Sequence, residues 1–248
     1  MQTLYVIDAP NMVHRAAAAG VMRPNLAGML RRFLRVADPR FVVAVWDDRD
    51  ASLRRELWPG YKADREHRDD VGEMMVQARA VIDAFGIASL GGLLGLEADD
   101  LVATVATKAP PDFRVVMISC DKDLLQLVDE RTVLASRRGG ASTIHRLEDV
   151  RREYGIEPVQ WPSVMALAGA KNGVPGLPGI GFKGALALIA KYGDLETLIA
   201  RVRTVEKRTY RVAIEGNAEQ ARLFLRLMTL RRDAPIDCPP ERWRRERG

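Results

Sequence analysis

Three uninterrupted apolar runs in this chain each lead into an aspartate. Leu4-Tyr5-Val6-Ile7 runs into Asp8, Phe41-Val42-Val43-Ala44-Val45-Trp46 into Asp47, and Val115-Val116-Met117-Ile118-Ser119-Cys120 into Asp121. Such runs, without polar alternation, suggest strands covered on both faces, as in a parallel α/β sheet whose ligands gather beyond the carboxyl ends of the strands. Glu97-Ala98-Asp99-Asp100 and Asp123 raise the set to seven carboxylates in four clusters. At one sheet edge these charges repel unless a cation neutralises them, and an all-oxygen ligand set suits Mg²⁺ or Mn²⁺. The pattern predicts a hydrolytic metal site, where bound ions lower the pKa of a water and neutralise charge on a phosphodiester transition state.

Spacing within the clusters refines the expectation. If a helix begins near Glu97, then Glu97 and Asp100 share a face and Asp99 lies round the turn, within reach of a second ion. Asp121 and Asp123 are two residues apart, so an extended or turning backbone aims both the same way. No Ser/His/Asp or Cys/His arrangement competes, and His14, His67 and His145 have no metal-ligand spacing. Cys120 and Cys238 are the two cysteines, too few for a disulfide framework; Cys120 reads as a small core residue at a strand end.

The chain divides near residue 150. Residues 25–36 and 71–85 repeat apolar groups at helical spacing, and Asp99 to Lys108 reads as a further helix before Pro110-Pro111. This βαβ succession predicts a doubly wound, mostly parallel sheet over residues 1–150. From 151 to 248 the character is helical, with tight turns and no convincing strand. The pivot is Val174-Pro175-Gly176-Leu177-Pro178-Gly179-Ile180-Gly181-Phe182-Lys183-Gly184, where glycines permit close backbone approach and the next helix offers free N–H groups to a phosphate. Lys183 adds a charge-assisted contact. A helical reading of Ala218 to Leu230 packs back on the domain, and the charged tail Arg242 to Arg247 reads as a disordered terminus.

Net charge is +5 with a pI near 9.4, which fits a polyanionic partner. No apolar stretch approaches a membrane span and the start shows no signal-peptide pattern, so the expected compartment is the cytoplasm.

Six segments, in order, carry a family resemblance: Val6-Ile7-Asp8-Ala9-Pro10-Asn11, Trp46-Asp47, Trp58-Pro59-Gly60-Tyr61-Lys62-Ala63-Asp64-Arg65, Glu97-Ala98-Asp99-Asp100, Asp121-Lys122-Asp123-Leu124-Leu125-Gln126-Leu127 and Gly176 to Lys183. Over residues 4–200 the chain resembles the bacterial flap endonuclease/5′-3′ exonuclease family, which includes the 5′-nuclease domain of DNA polymerase I and the stand-alone Xni-type (exonuclease nine) enzymes. The resemblance implies a PIN-like nuclease domain with a helical arch, followed by a helix-three-turn-helix domain (helix-hairpin-helix type) that grips duplex DNA. It implies catalytic roles for Asp8, Asp47, Lys62, Arg65 and Asp99, and Mg²⁺ ligation by Asp8, Asp47, Glu97, Asp99, Asp100, Asp121 and Asp123. It places DNA contacts at Gly179, Ile180, Gly181, Phe182, Lys183 and Gly184, and a K⁺ site on the carbonyls of Leu167, Ala168, Pro175, Leu177 and Ile180. The implied reaction is hydrolysis at 5′ flaps or 5′ ends of branched DNA, by a monomer acting in DNA replication or repair.

One departure alters the metal count. Larger members carry two more aspartates before the hairpin, in a segment of the type Gly-Asp-Ser-Ser-Asp-Asn. Leu167-Ala168-Gly169-Ala170-Lys171-Asn172-Gly173 has none and adds Lys171. Xni-type proteins also lack the pair, whereas Asp123 is retained here. The expectation is one tight ion near Asp8, Asp47, Glu97, Asp99 and Asp100, with a second held weakly beside Asp121 and Asp123. The alternatives are a catalytically weak branched-DNA-binding protein and, less favoured because of the hairpin, a PIN-type ribonuclease.

Overall fold

The computed structural model describes residues 1–18, 23–48, 53–63, 69–91, 95–138, 141–237 and 239–245. Six strands, β1 (Gln2–Asp8), β2 (Phe41–Trp46), β3 (Ala88–Gly91), β4 (Phe113–Ile118), β5 (Thr132–Arg138) and β6 (Ala141–His145), form one sheet in the order β3-β2-β1-β4-β5-β6. All neighbours pair in parallel except the β5–β6 hairpin, which is antiparallel. The three apolar runs form the central strands β2, β1 and β4, although β4 stops at Ile118 and leaves Ser119 and Cys120 in the turn.

Eleven helices are described: α1 (Ala9–Ala18), α2 (Arg23–Ala37), α3 (Leu53–Leu57), α4 (Asp69–Ala84), α5 (Ala98–Lys108), α6 (Leu147–Tyr154), α7 (Trp161–Ala168), α8 (Phe182–Tyr192), α9 (Leu195–Ala200), α10 (Arg208–Gly216) and α11 (Ala218–Met228). Alternation along the pleat sends Leu4, Val6, Val43, Val45, Val115 and Met117 to a core shared with α5 and the C-terminal helices, while Ile7, Val42, Ala44 and Trp46 meet α1, α2 and α4. Among the described residues no strand follows β6, and no helix is long and apolar enough to cross a membrane.

Three expectations change. β2 is buried at every position, but β4 is buried on one face only: Val116 and Ile118 are half-buried and Arg114 is exposed. Cys120 is half-buried outside the core, its thiol 3.2 Å from the Arg137 carbonyl. The C-terminal tail is docked through Arg245, with Trp243 only 4% exposed, Arg244 bridged to Phe41, and the Arg245 N–H donating to the Arg40 carbonyl at 2.9 Å. An apolar indole among the arginines supplies the anchor that a purely charged terminus lacks.

Candidate active site

Parallel register brings the acids together. Asp8 pairs with Val45 and Ile7 with Ile118, so the residues just beyond β2 and β4, Asp47 and Ser119, lie at the same sheet edge as Asp8. Asp8 is buried; its Oδ2 accepts from Ser119 Oγ at 2.6 Å and its Oδ1 from the Asn11 N–H at 3.1 Å. Burial pushes its carboxyl up to about 7 against those two hydrogen bonds, with Asp47 and Asp121 adding repulsion. Burial also raises Asp99 well above the ordinary range, aided by Asp8, Asp121 and Asp47 and opposed by Lys62.

Asp47 Oδ1 accepts from the Ala98 N–H at 2.7 Å, which ties the β2 end to the start of α5. The Asp121 N–H donates to Ser119 Oγ at 3.0 Å, and Asp121 Oδ1 accepts from the Asp123 N–H at 2.9 Å. Burial and Asp121 push Asp123 up to about 7, while the Trp161 indole 3.4 Å away works in the other direction. Asp8, Asp47, Asp99 and Asp121 therefore form one mutually repelling group, with Asp123 at its margin.

Glu97 and Asp100 do share a face, as their spacing predicts, and they form a reciprocal capping box at the start of α5. That face meets Arg54, which no sequence spacing had singled out. Arg54 Nη1 lies 2.6 Å from Asp100 Oδ2 and Nη2 2.7 Å from Oδ1, with Nη1 also 3.3 Å from Glu97 Oε2. Asp100 accepts further from the backbone N–H groups of Glu97 and Arg231. Both oxygens of Asp100, an expected Mg²⁺ ligand, thus accept from a buried guanidinium and from backbone donors. Although burial opposes the charge, the Asp100 hydrogen bonds hold the Arg54 guanidinium firmly protonated.

Arg54 also donates to the carbonyls of Leu227 and Thr229, so the same ion pair fastens the N-terminal half to the end of α11. Gln126 does likewise, donating to Met228 and accepting from Leu230. Only the fold could show these two roles, because both depend on a chain crossing more than a hundred residues away.

Glu97 is approached by two more donors, Tyr61 Oη at 2.8 Å and Lys62 Nζ at 2.9 Å. Lys62 adopts a left-handed φ of 52°, and its N–H donates to the Asn172 carbonyl at 2.7 Å. Trp58 Nε1 donates to the neighbouring Gly173 carbonyl at 3.2 Å. Gly173 is needed there, since a Cβ would fall 2.1 Å from the Gly60 oxygen. The 171–173 loop that lacks carboxylates thus props the segment presenting Lys62. Arg65 and His67 lie outside the described residues, as does Cys238.

Between α7 and α8 the backbone folds tightly on itself. Leu177 N–H donates to the Leu167 carbonyl at 2.8 Å, and Ile180 N–H to the Leu177 carbonyl at 3.1 Å. A carbonyl oxygen has two lone pairs, so these oxygens, with those of Ala168, Pro175 and Ile180, keep capacity for a cation. Of the expected DNA contacts, Gly179, Gly181, Phe182 and Lys183 are exposed at the N-terminus of α8. The Ile180 side chain is in the core, and a Cβ on Gly184 would meet Tyr210 Oη at 2.4 Å, so that glycine also serves packing. The Phe182 ring packs edge-on against Trp161 and Tyr154, and Trp161 is the residue whose indole faces Asp123.

Among the described residues no three acidic, histidine or cysteine side chains close into a finished metal cage. The donor set nonetheless fits a hard divalent cation, since oxygen ligands alone are offered and the acids repel one another without a neutralising charge.

The chain is similar over 97% of its length to DNA polymerase I of Mycobacterium tuberculosis, at 32% identity over 246 residues, but spans only 27% of that relative. The flap endonuclease Xni of Aeromonas hydrophila is 32% identical over 94% of the chain and 92% of its own length. Among solved structures, T5 5′-exonuclease superposes with a TM-score of 0.78 at 20% identity, covering 93% of this chain and 90% of that one. Residues 3–155 match the 5′-3′ exonuclease N-terminal resolvase-like domain and residues 156–247 the 5′-3′ exonuclease C-terminal SAM fold. With both domains matched in order along nearly its whole length, the chain belongs to the 5′-3′ exonuclease family.

Proposed function

We propose that this protein is a divalent-metal-dependent nuclease that hydrolyses phosphodiesters at 5′ flaps or 5′ ends of branched DNA, with residues 1–150 as the catalytic unit and 151–248 as the duplex-gripping unit. The observation carrying the reading is the mutually repelling group Asp8, Asp47, Asp99 and Asp121 at the strand ends, opposed by Lys62. These four, together with Glu97 and Asp100, would hold Mg²⁺ or Mn²⁺, with the weaker of two sites beside Asp121 and Asp123. When bound, such an ion activates a water and offsets charge on the scissile phosphate. T5 5′-exonuclease, of the same fold, is known with bound divalent zinc ions, and a T5 D15 flap endonuclease variant in a pseudo-enzyme-product complex with DNA and metal ions.

The residues of this chain bind and orient. Lys62, parked on Glu97, is placed to swing to an incoming phosphate, a role we assign to Arg65 as well. The exposed N–H groups at the start of α8 and Lys183 suit a duplex phosphate, and the carbonyls of Leu167, Ala168, Pro175, Leu177 and Ile180 suit a K⁺ ion beside it.

The loop without acids at 170–173 favours one alternative, a branched-DNA binder with weak turnover. A labelled 5′-flap duplex incubated with protein and Mg²⁺ separates the two. Cleavage that disappears with EDTA and in Asp99→Ala supports the nuclease; tight flap binding without product from the parent protein refutes it.

A further inference from the structure

Parallel sheets are ordinarily covered on both faces, and here one region is bare. α1, α2 and α4 cover β1, β2 and β3 on the side away from α5. The β4–β5 connection sends Leu124, Leu125 and Leu127 to the α5 side, so among the described residues no helix crosses the other face of β4 and β5. A cleft of about 1070 Å³ remains, floored by Tyr5, Val116, Ile118 and Val133 and walled by α1, α2 and β6. Two apolar side chains on its lips stand in solvent, Val36 at 75% and Ile144 at 45% exposure.

The rim is basic. Arg15, Arg32, Arg114, Arg137 and Arg146 line it, all exposed, against Asp129, Glu130 and Glu148. Asp129 is occupied in its own turn, accepting from the Arg131 and Thr132 N–H groups. Arg32 and Arg114 have no ion-pair partner among the described residues.

We propose that this cleft docks an acidic peptide segment of a partner protein, with apolar side chains on the floor and Asp or Glu on the arginine rim. Charge complementarity selects this occupant. A second copy in a two-fold contact would set arginine rim against arginine rim. A single strand needs open ring faces for its bases, whereas the Tyr5 and Phe33 rings are packed edge-on against each other at 5.3 Å over an otherwise aliphatic floor, and duplex phosphates would meet only the arginines and leave that apolar floor uncovered.

The test is fluorescence anisotropy with the full chain and a short labelled peptide carrying a Leu-Ile-Phe centre between runs of Asp, compared with the same centre between runs of Lys. The Asp-flanked peptide should bind saturably, and the Lys-flanked one at least roughly tenfold more weakly. Arg32→Glu with Arg114→Glu, and separately Ile144→Asp, should each weaken the acidic peptide by a similar factor; these side chains are exposed, and circular dichroism confirms that the variants fold. Equal binding of both peptides, indifference to the substitutions, no saturable binding at millimolar peptide, or displacement by a single-stranded oligonucleotide would each overturn the proposal. None of these readouts depends on nuclease activity.

Discussion

Replacing Arg54 by alanine tests how the two halves are held together. The side chain is 9% exposed and makes two short bonds to Asp100 at 2.6 and 2.7 Å, one to Glu97 at 3.3 Å, and two to the carbonyls of Leu227 and Thr229. Removing it leaves Asp100, 2% exposed, as a carboxylate satisfied only by the Glu97 and Arg231 amides. Breaking one side of a buried pair costs about 3–5 kcal/mol. For a chain of this size that corresponds to a fall in Tm of roughly 6–20 °C. Calorimetry at pH 7 would read it, with Arg54→Met, Asp100→Leu and the Arg54→Met/Asp100→Leu double variant forming a cycle. The double variant should recover much of the loss, because no buried charge is then orphaned. A loss below about 1 kcal/mol for Arg54→Ala, or strictly additive single effects, would refute the claim that this pair joins the domains.

Three further outcomes are expected. Asp8 is raised from 3.8 to about 7, so the fold favours its neutral form; its contribution is fully present below about pH 4 and is lost as pH rises through 7, by at most about 4 kcal/mol. Urea titrations of metal-free protein should therefore show a pH-dependent loss that Asp8→Asn flattens and added Mg²⁺ offsets, and an unchanged slope in that variant would contradict the assignment. Trp243→Ala should cost about 3–5 kcal/mol if the tail is truly docked, against almost nothing for a loose terminus, as measured by denaturant midpoint. Gly173→Ala, at a φ of 86° with its Cβ driven toward the Gly60 oxygen, should displace Lys62 and lower flap cleavage more than flap affinity; loss of affinity alone would argue against that linkage.

Much of the scaffold was legible from local patterns. Apolar runs ending in Asp8, Asp47 and Asp121 become neighbouring strand ends because the parallel pairing of β1, β2 and β4 leaves little freedom in where those ends fall. The windows at 25–36 and 71–85 became α2 and α4 to within two residues at each end, since 3.6-residue periodicity needs only one buried face to act on. Short β3, β5 and β6 were not seen, being edge or half-exposed strands with weak alternation.

What the chain alone could not reveal is which neighbour crosses a given face. Helical spacing put Glu97 and Asp100 together, but only the packing of α3 against the end of α11 sets Arg54 against both carboxylates. Hairpin glycines look alike in a sequence, yet Gly179 is open to solvent while Gly184 is pressed on Tyr210. From Val115 to Ile118 β4 reads as apolar as β2, yet the route of one connection leaves its second face bare. Local sequence determines period, strand ends and residue chemistry because these depend on near neighbours. Partner choice rests on chains distant in sequence, and only tertiary packing decides it.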